Sequence, residues 1–212
     1  MAGRITALKV QKHSQERVSV FIDDKFAVGV TIVVAATLRQ GQYLSDAEIA
    51  KLKQEGERDK AYNQAIRFLG FRARSQAEIE RYLNDKGYPA DVVAETIGRL
   101  IEQRYLDDEE FARMWLEDRA RFRPRGQMAL QYELKQKGIS KEIVDAVLTD
   151  LDEDELAWAA VENQLRRWQN LEEQELRKKI IGFLSRRGFN YETAQHVVNR
   201  AAEFLKENNS IT

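Results

Sequence analysis

Leu83-Asn84-Asp85-Lys86-Gly87-Tyr88 is echoed twice more in this chain, as Leu134-Lys135-Gln136-Lys137-Gly138-Ile139 and as Leu184-Ser185-Arg186-Arg187-Gly188-Phe189. The shared form is leucine, two variable residues, a basic residue, glycine and an apolar residue, and the glycines stand 51 and 50 positions apart. Agreement runs outward from the motif. Eight residues before each glycine come Ile79, Leu130 and Ile180; four after it come Asp91, Glu142 and Glu192; ten after it come Ile97, Leu148 and Val198. A period near fifty signals tandem copies of one supersecondary unit that bury their apolar faces on themselves and on neighbours.

The chemistry of the motif is that of a helix stop. Gly87, Gly138 and Gly188 suit a left-handed position that residues with a Cβ adopt reluctantly. Lys86, Lys137 and Arg187 place positive charge at the same C-terminus, and Tyr88, Ile139 and Phe189 can fold back on the helix. Asp91, Glu142 and Glu192 then fall in the first turn of the next helix, where its dipole favours negative charge. These residues read as structural.

Three helices per copy follow. In the first, one helix ends near Gly70, a Ser75-Gln76-Ala77-Glu78 capping box opens the second, and Pro89 opens a third carrying Val92, Val93, Ile97, Leu100 and Ile101. The second copy opens at Asp107-Asp108-Glu109-Glu110, continues through Phe111, Trp115 and Leu116, and closes with Ile143, Val144, Val147, Leu148 and Leu151. The third opens at Asp152-Glu153-Asp154-Glu155 and carries Leu156, Val161 and Leu165, then Ile180, Phe183 and Leu184, then Val197, Val198 and Phe204. It lacks the serine box before its second helix, where Leu176-Arg177-Lys178-Lys179 stands instead.

Before residue 31 the period is two. Ile5 to Val10, then Val18, Val20 and Ile22, then Phe26, Val28 and Val30 read as three strands of an antiparallel sheet, with Asp23-Asp24-Lys25 as a turn. A capping box at Ser45-Asp46-Ala47-Glu48 starts helical spacing, which Gly56 is placed to break. The expected fold is mainly α: tandem three-helix repeats in an elongated array, preceded by a small antiparallel β module. The boundaries drawn are 1–57 for a hairpin and helix module, 58–106, 107–151 and 152–212 for the repeats.

Composition excludes several classes. There are no cysteines, which removes disulfides, thiol nucleophiles and thiolate metal sites. Neither His13 nor His196 has a partner in sequence, and His196 reads as a packed residue. Phosphate-loop and dinucleotide glycine patterns are missing, so the chain reads as no enzyme and calls for no cofactor. It shows neither a signal-peptide pattern nor a spanning apolar stretch, and a cytoplasmic monomer is expected. Charged residues make up 33% of the chain, yet the net charge is −1. Bulk attraction to nucleic acid is therefore not the main source of affinity, while local basic patches remain open.

Taken in order, Arg74-Ser75-x-x-Glu78, Tyr82-Leu83-x-x-Lys86-Gly87-Tyr88, Tyr105-Leu106-Asp107-Asp108-x-x-Phe111-Ala112 and Glu133-Leu134-x-x-Lys137-Gly138-Ile139 resemble the RecX family of recombinase regulators. Ile22-Asp23-Asp24-Lys25-Phe26 and Leu38-x-x-Gly41 fit that family's N-terminal segment, so the resemblance spans almost the whole chain. It implies a protein that lodges in the groove of the RecA filament on single-stranded DNA. There it would modulate, and mostly inhibit, ATP hydrolysis, strand exchange and co-protease activity.

The candidate contact residues are basic. Arg119, Arg121, Arg123 and Arg125 lie within seven residues, interrupted by Phe122 and Pro124. Proline removes a donor and disfavours helix before it, which puts the run at an exposed helix junction; arginine forks suit carboxylates and phosphates. Arg72, Arg74 and Arg81 surround the matching junction of the first repeat, and Arg177, Lys178, Lys179, Arg186 and Arg187 make a third group, together suggesting a positive stripe. The acidic helix starts read as dipole complements, and Trp115, Trp158 and Trp168 as core. The rival reading is a protein that binds single- or double-stranded DNA directly through its arginine-rich junctions.

Overall fold

The computed structural model describes residues 2–11 and 14–209; His13 lies outside them. The chain divides into two compact units. One comprises Met1–Arg74 with Ile79–Leu106, the other Ser75–Glu78 with Asp107–Thr212.

The first unit begins with β1 (Gly3–Gln11), β2 (Ser14–Ile22) and β3 (Lys25–Thr31), then a short α1 (Ile32–Ala36) and a two-residue β4 (Tyr43–Leu44). The sheet is antiparallel with order β3-β2-β1-β4. Asp23 and Asp24 both take positive φ, 46° and 64°, which matches a tight hairpin to the twist of β2 and β3. The fourth strand was absent from the sequence reading, because two residues carry no alternation. Val18, Val20, Ile22, Val28 and Val30 bury one face against Ile49 and Leu52 of α2 (Asp46–Leu69).

Gly56 does not break α2, which is continuous over 24 residues. A Cβ there would stand 2.6 Å from the Gly29 carbonyl oxygen, so the glycine lets the helix lie on the backbone of β3. The far half of α2 supplies Ala61 and Ala65 to a second core, built with Ile79 and Leu83 of α3 (Gln76–Asp85) and Val92, Val93 and Leu100 of α4 (Ala90–Glu102). Ile101, expected on that face, is 41% exposed.

The second unit holds two more helix triplets: α5 (Asp108–Phe122), α6 (Gln127–Gln136) and α7 (Lys141–Thr149), then α8 (Glu153–Trp168), α9 (Glu173–Ser185) and α10 (Tyr191–Asn209). Each triplet has its own apolar core. Trp158 and Trp168 are buried as expected, while Trp115 is half-buried. Helix α9 starts before Leu176-Arg177-Lys178-Lys179, which therefore lies inside it rather than at its cap.

All three stops form. The amides of Tyr88, Ile139 and Phe189 donate to the carbonyls of Leu83, Leu134 and Leu184, and those of Gly87, Gly138 and Gly188 to Asn84, Lys135 and Ser185. With φ of +80°, +79° and +83° at the glycines, each is a Schellman ending. No helix among the described residues is long and apolar enough to cross a membrane.

Candidate functional site

In the second unit the start of one middle helix sits on the end of the next. Arg123 leaves the helical region at φ −151°, ψ 72° because proline follows it, and Gly126 caps α6. The Gly126 amide donates to the Arg187 carbonyl at 2.9 Å. A Cβ at 126 would overlap the Gly188 carbonyl and Phe189 amide; one at 188 would stand 2.5 Å from the Ala129 Cβ and 2.7 Å from its amide nitrogen. Backbone therefore meets backbone. The Gln127 amide donates to Glu153 at 2.8 Å, which binds the same turn to the start of α8.

The same construction holds Ser75–Glu78. The Ser75 hydroxyl donates to the Lys137 carbonyl at 2.6 Å, and the Gln76 amide donates to Asp108 at 2.8 Å. A Cβ on Gly138 would overlap the Ala77 methyl. The Ser75 hydroxyl also accepts from the Glu78 amide at 3.3 Å, completing the capping box, and Lys137 Nζ pairs with Glu78 at 2.9 Å. Burial pushes the Asp108 carboxyl above its usual range, against the lowering effect of the Gln76 amide; the Asp107 charge adds to the rise.

The α6–α9 joint brings together arginines that are 61 to 64 residues apart in sequence. Burial and the charges of Arg125, Arg123 and Arg186, in that order, lower the Arg187 pKa. The Arg187 guanidinium lies 4.4 Å from the centre of the Phe183 ring, a contact that holds it without neutralising it. Neither Arg123, Arg186 nor Arg187 makes an ion pair among the described residues. Arg125 has only a long one, 3.9 Å to Glu133. Arg121 and Phe122 are exposed beside it, with the cation 5.1 Å from the ring.

The other sequence candidates lie elsewhere. Arg119 turns inward: it donates to Glu133 at 2.7 Å and Asp118 at 2.9 Å and packs 4.1 Å over Trp115. Glu133 also accepts the Trp115 indole N–H at 2.9 Å, which makes it the hub of this network. Sequence reasoning missed that role, although Trp115 and Arg119, one turn apart, already shared a face. Arg177 donates to Gln195 of α10 at 2.7 Å; Lys178 and Lys179 are exposed on α9, about 13 Å along the axis from its basic end. The third group is thus two groups.

In the first unit Arg74 lies 3.5 Å over the Phe68 ring, itself stacked on Tyr82 at 4.0 Å. Arg72 donates to the Ala73 carbonyl at 2.8 Å, and Arg81 is exposed on α3.

The acidic helix starts are spent internally. Asp107 accepts from the Glu109 and Glu110 amides and Asp152 from the Glu155 amide. Glu153 takes Gln127, Asn190 and Thr193, while Glu155 pairs with Arg200 at 2.5 Å. His196 corrects the sequence reading. It is exposed, with Nδ1 3.0 Å from Asp154, because Ala194, Val197 and Ala201 occupy the buried stripe of α10.

An antiparallel sheet followed by three helix triplets, each with a Schellman ending on its middle helix, defines a tandem three-helix-repeat protein. Residues 3–45 match the family model for the regulatory protein RecX N-terminal domain. Residues 61–100, 107–148 and 152–198 match the first, second and third RecX three-helix domains. The chain belongs to the RecX family of regulatory proteins. It is 30% identical to the regulatory protein RecX of Bacillus pumilus over 208 residues, 96% of this chain and 79% of that one. Identity to the Bacillus subtilis protein is 33% over 193 residues, 89% and 73% of the two chains. A crystal structure of regulatory protein RecX superposes with a TM-score of 0.73, covering 93% of this chain and 99% of that one at 23% identity. RecX from Lactobacillus salivarius gives 0.63 over 69% and 97% at 22% identity. Both share the fold.

Proposed function

We propose that this chain regulates RecA by binding the filament that RecA forms on single-stranded DNA, and that it mostly inhibits ATP hydrolysis, strand exchange and co-protease activity. The contact surface in this reading is centred on Arg121, Arg123, Arg125, Arg186 and Arg187 of the second unit, with Arg177, Lys178 and Lys179 as further contributors there and Arg119 as their support; Arg72, Arg74 and Arg81 make a separate contact of the first unit. The observation that carries it is the meeting of Arg123, Arg125, Arg186 and Arg187 with so little carboxylate to balance them. Burial first, and then the neighbouring Arg125, Arg123 and Arg186, disfavour the charged form of Arg187, and an anionic partner offsets both effects. Binding one filament state more tightly than the state needed for turnover lowers the hydrolysis rate without any catalytic group.

The test is RecA ATP hydrolysis on single-stranded DNA, titrated with the protein. Loss of hydrolysis at substoichiometric ratios is expected, and Arg123→Glu with Arg125→Glu and Arg186→Glu should abolish it while leaving the helix content unchanged. Full inhibition by that variant would reject the surface. A second reading, direct binding to naked DNA, draws on the exposed Phe122 beside Arg121, a pairing suited to stacking and phosphate contact. It predicts tight, steeply salt-dependent binding in the absence of RecA.

A further inference from the structure

The first unit holds a second cationic feature that the joint does not use. Lys53, Lys60 and Arg67 recur every seven residues on α2, so they share one face and span about 21 Å of helix. Beside them runs a groove of about 540 Å³ between α2 and the sheet. Arg17 stands in it, held by its donation to the Gly29 carbonyl at 2.6 Å and the Gly56 carbonyl at 3.3 Å. None of these four cations makes an ion pair among the described residues, and Glu57 is the one carboxylate in the lining.

The groove also contains polar atoms that lack partners. The Tyr88 hydroxyl and Gln64 Oε1 are both buried with no hydrogen bond, although both line this space. A buried hydroxyl left unpaired costs about 1–3 kcal/mol, so such atoms mark places where something else donates or accepts. Burial, then the nearby Glu57 charge, raises the Tyr88 pKa; the group stays a proton donor at neutral pH. Phe26, in the lining of the groove, is 60% exposed.

We propose that this groove binds the phosphodiester backbone of single-stranded nucleic acid, with Lys53, Lys60, Arg67 and Arg17 along the phosphates, the Tyr88 hydroxyl donating to one of them and Phe26 stacking on a base. The length of the cation track favours an extended polyanion over a single phosphate. The ring and the Gln64 amide favour bases over an acidic peptide. The inference stands apart from the arginine joint of the second unit and survives if that joint binds nothing.

The experiment is fluorescence anisotropy of a labelled oligothymidylate with the full-length protein, over a range of salt. Lys53→Glu with Lys60→Glu and Arg67→Glu should weaken binding at least tenfold and flatten the salt dependence by about two units of slope, from three phosphate contacts at about 0.7 each. Tyr88→Phe should weaken binding about tenfold with no loss of thermal stability, because the unpaired hydroxyl contributes nothing to the free fold. Arg123→Glu with Arg186→Glu should leave the slope difference between wild type and the α2 variant intact. Equal affinity and slope in wild type and the α2 variant would overturn the proposal. So would unchanged binding in Tyr88→Phe, displacement of the strand by oligoglutamate but not by unlabelled oligothymidylate, or saturation of the groove by a nucleoside triphosphate at lower concentration than by the strand.

Discussion

Replacing the stop glycines by alanine separates backbone strain from packing. At Gly87 an added Cβ meets nothing within 4 Å, so Gly87→Ala carries only the left-handed penalty. That is roughly 1–2 kcal/mol, from which about 0.4–1 kcal/mol returns because alanine restricts the unfolded chain. A net loss of about 1 kcal/mol is expected. Gly138→Ala adds overlap with one methyl, that of Ala77, and Gly188→Ala adds contacts of 2.5 and 2.7 Å with the Ala129 side chain and amide nitrogen. Overpacking typically adds about 1–3 kcal/mol, and backbone yields less than a side chain. The expected order is about 1, then about 2–3, then about 3–4 kcal/mol. Since the Gly138 overlap is with the Ala77 methyl alone, Ala77→Gly should rescue Gly138→Ala. The double mutant should be less destabilised than the sum of its parts by about 1–2 kcal/mol, although glycine itself costs about 1 kcal/mol in a helix. Urea titration followed by circular dichroism measures the losses, and hydrogen exchange locates each of them along the chain. Equal losses for Gly87→Ala and Gly138→Ala, or strict additivity in the double mutant, would refute the docking of Ser75–Glu78 on the α6 stop.

Three further outcomes follow from the same contacts. Ser75→Ala removes both the donation to Lys137 and the cap on α3 from a fully buried side chain, and should cost about 2 kcal/mol in urea unfolding. Asp108→Asn keeps an acceptor for the Gln76 amide and removes a charge that burial disfavours. Because the folded pKa is raised, the native state binds a proton more readily than the unfolded chain. The wild type therefore gains stability as pH falls through the raised value toward 3.8, and the advantage of the asparagine variant, present at neutral pH, should vanish by about pH 4. Glu133→Ala strips the acceptor shared by Trp115 and Arg119 and should cost about 2–3 kcal/mol, with a change in tryptophan emission.

The repeat was legible because its signals are local. A glycine flanked by a basic and an apolar residue decides its own φ, and a serine three residues before a glutamate caps its own helix. What the sequence hid is pairing at a distance. Nothing near Ser75 announces that its hydroxyl will reach Lys137, 62 positions away, or that Gly126 will rest on Gly188. The clues were small residues without a turn to explain them. Ala77 and Ala129 are small because a stop glycine lies against them, and Gly56 because β3 does. Reading Gly56 as a break took a close approach for flexibility. His196 misled for a related reason: an apolar helix suggests a packed residue, but only one stripe of α10 faces inward, and position 196 is off it.

A net charge of −1 conceals the electrostatics of this chain because the two signs are spent differently. Asp107 and Asp152 satisfy amides of their own helices, and Asp108 and Glu153 satisfy amides of another helix start. Each such carboxylate serves a backbone group that would otherwise lose a hydrogen bond, so it is unavailable to neutralise an arginine. The stops do the reverse. They gather Lys or Arg at helix C-termini, where the dipole favours them, and docking then sets Arg123 and Arg125 beside Arg186 and Arg187. Capping acids and stop cations are both structural devices, yet their sum is a surface that is locally positive on a nearly neutral chain. The positive patch in the second unit is thus a by-product of how three-helix repeats are joined, and any partner that reads it reads the joint itself. A substitution that loosens the joint, such as Gly188→Ala, should therefore weaken partner binding without touching a single charge.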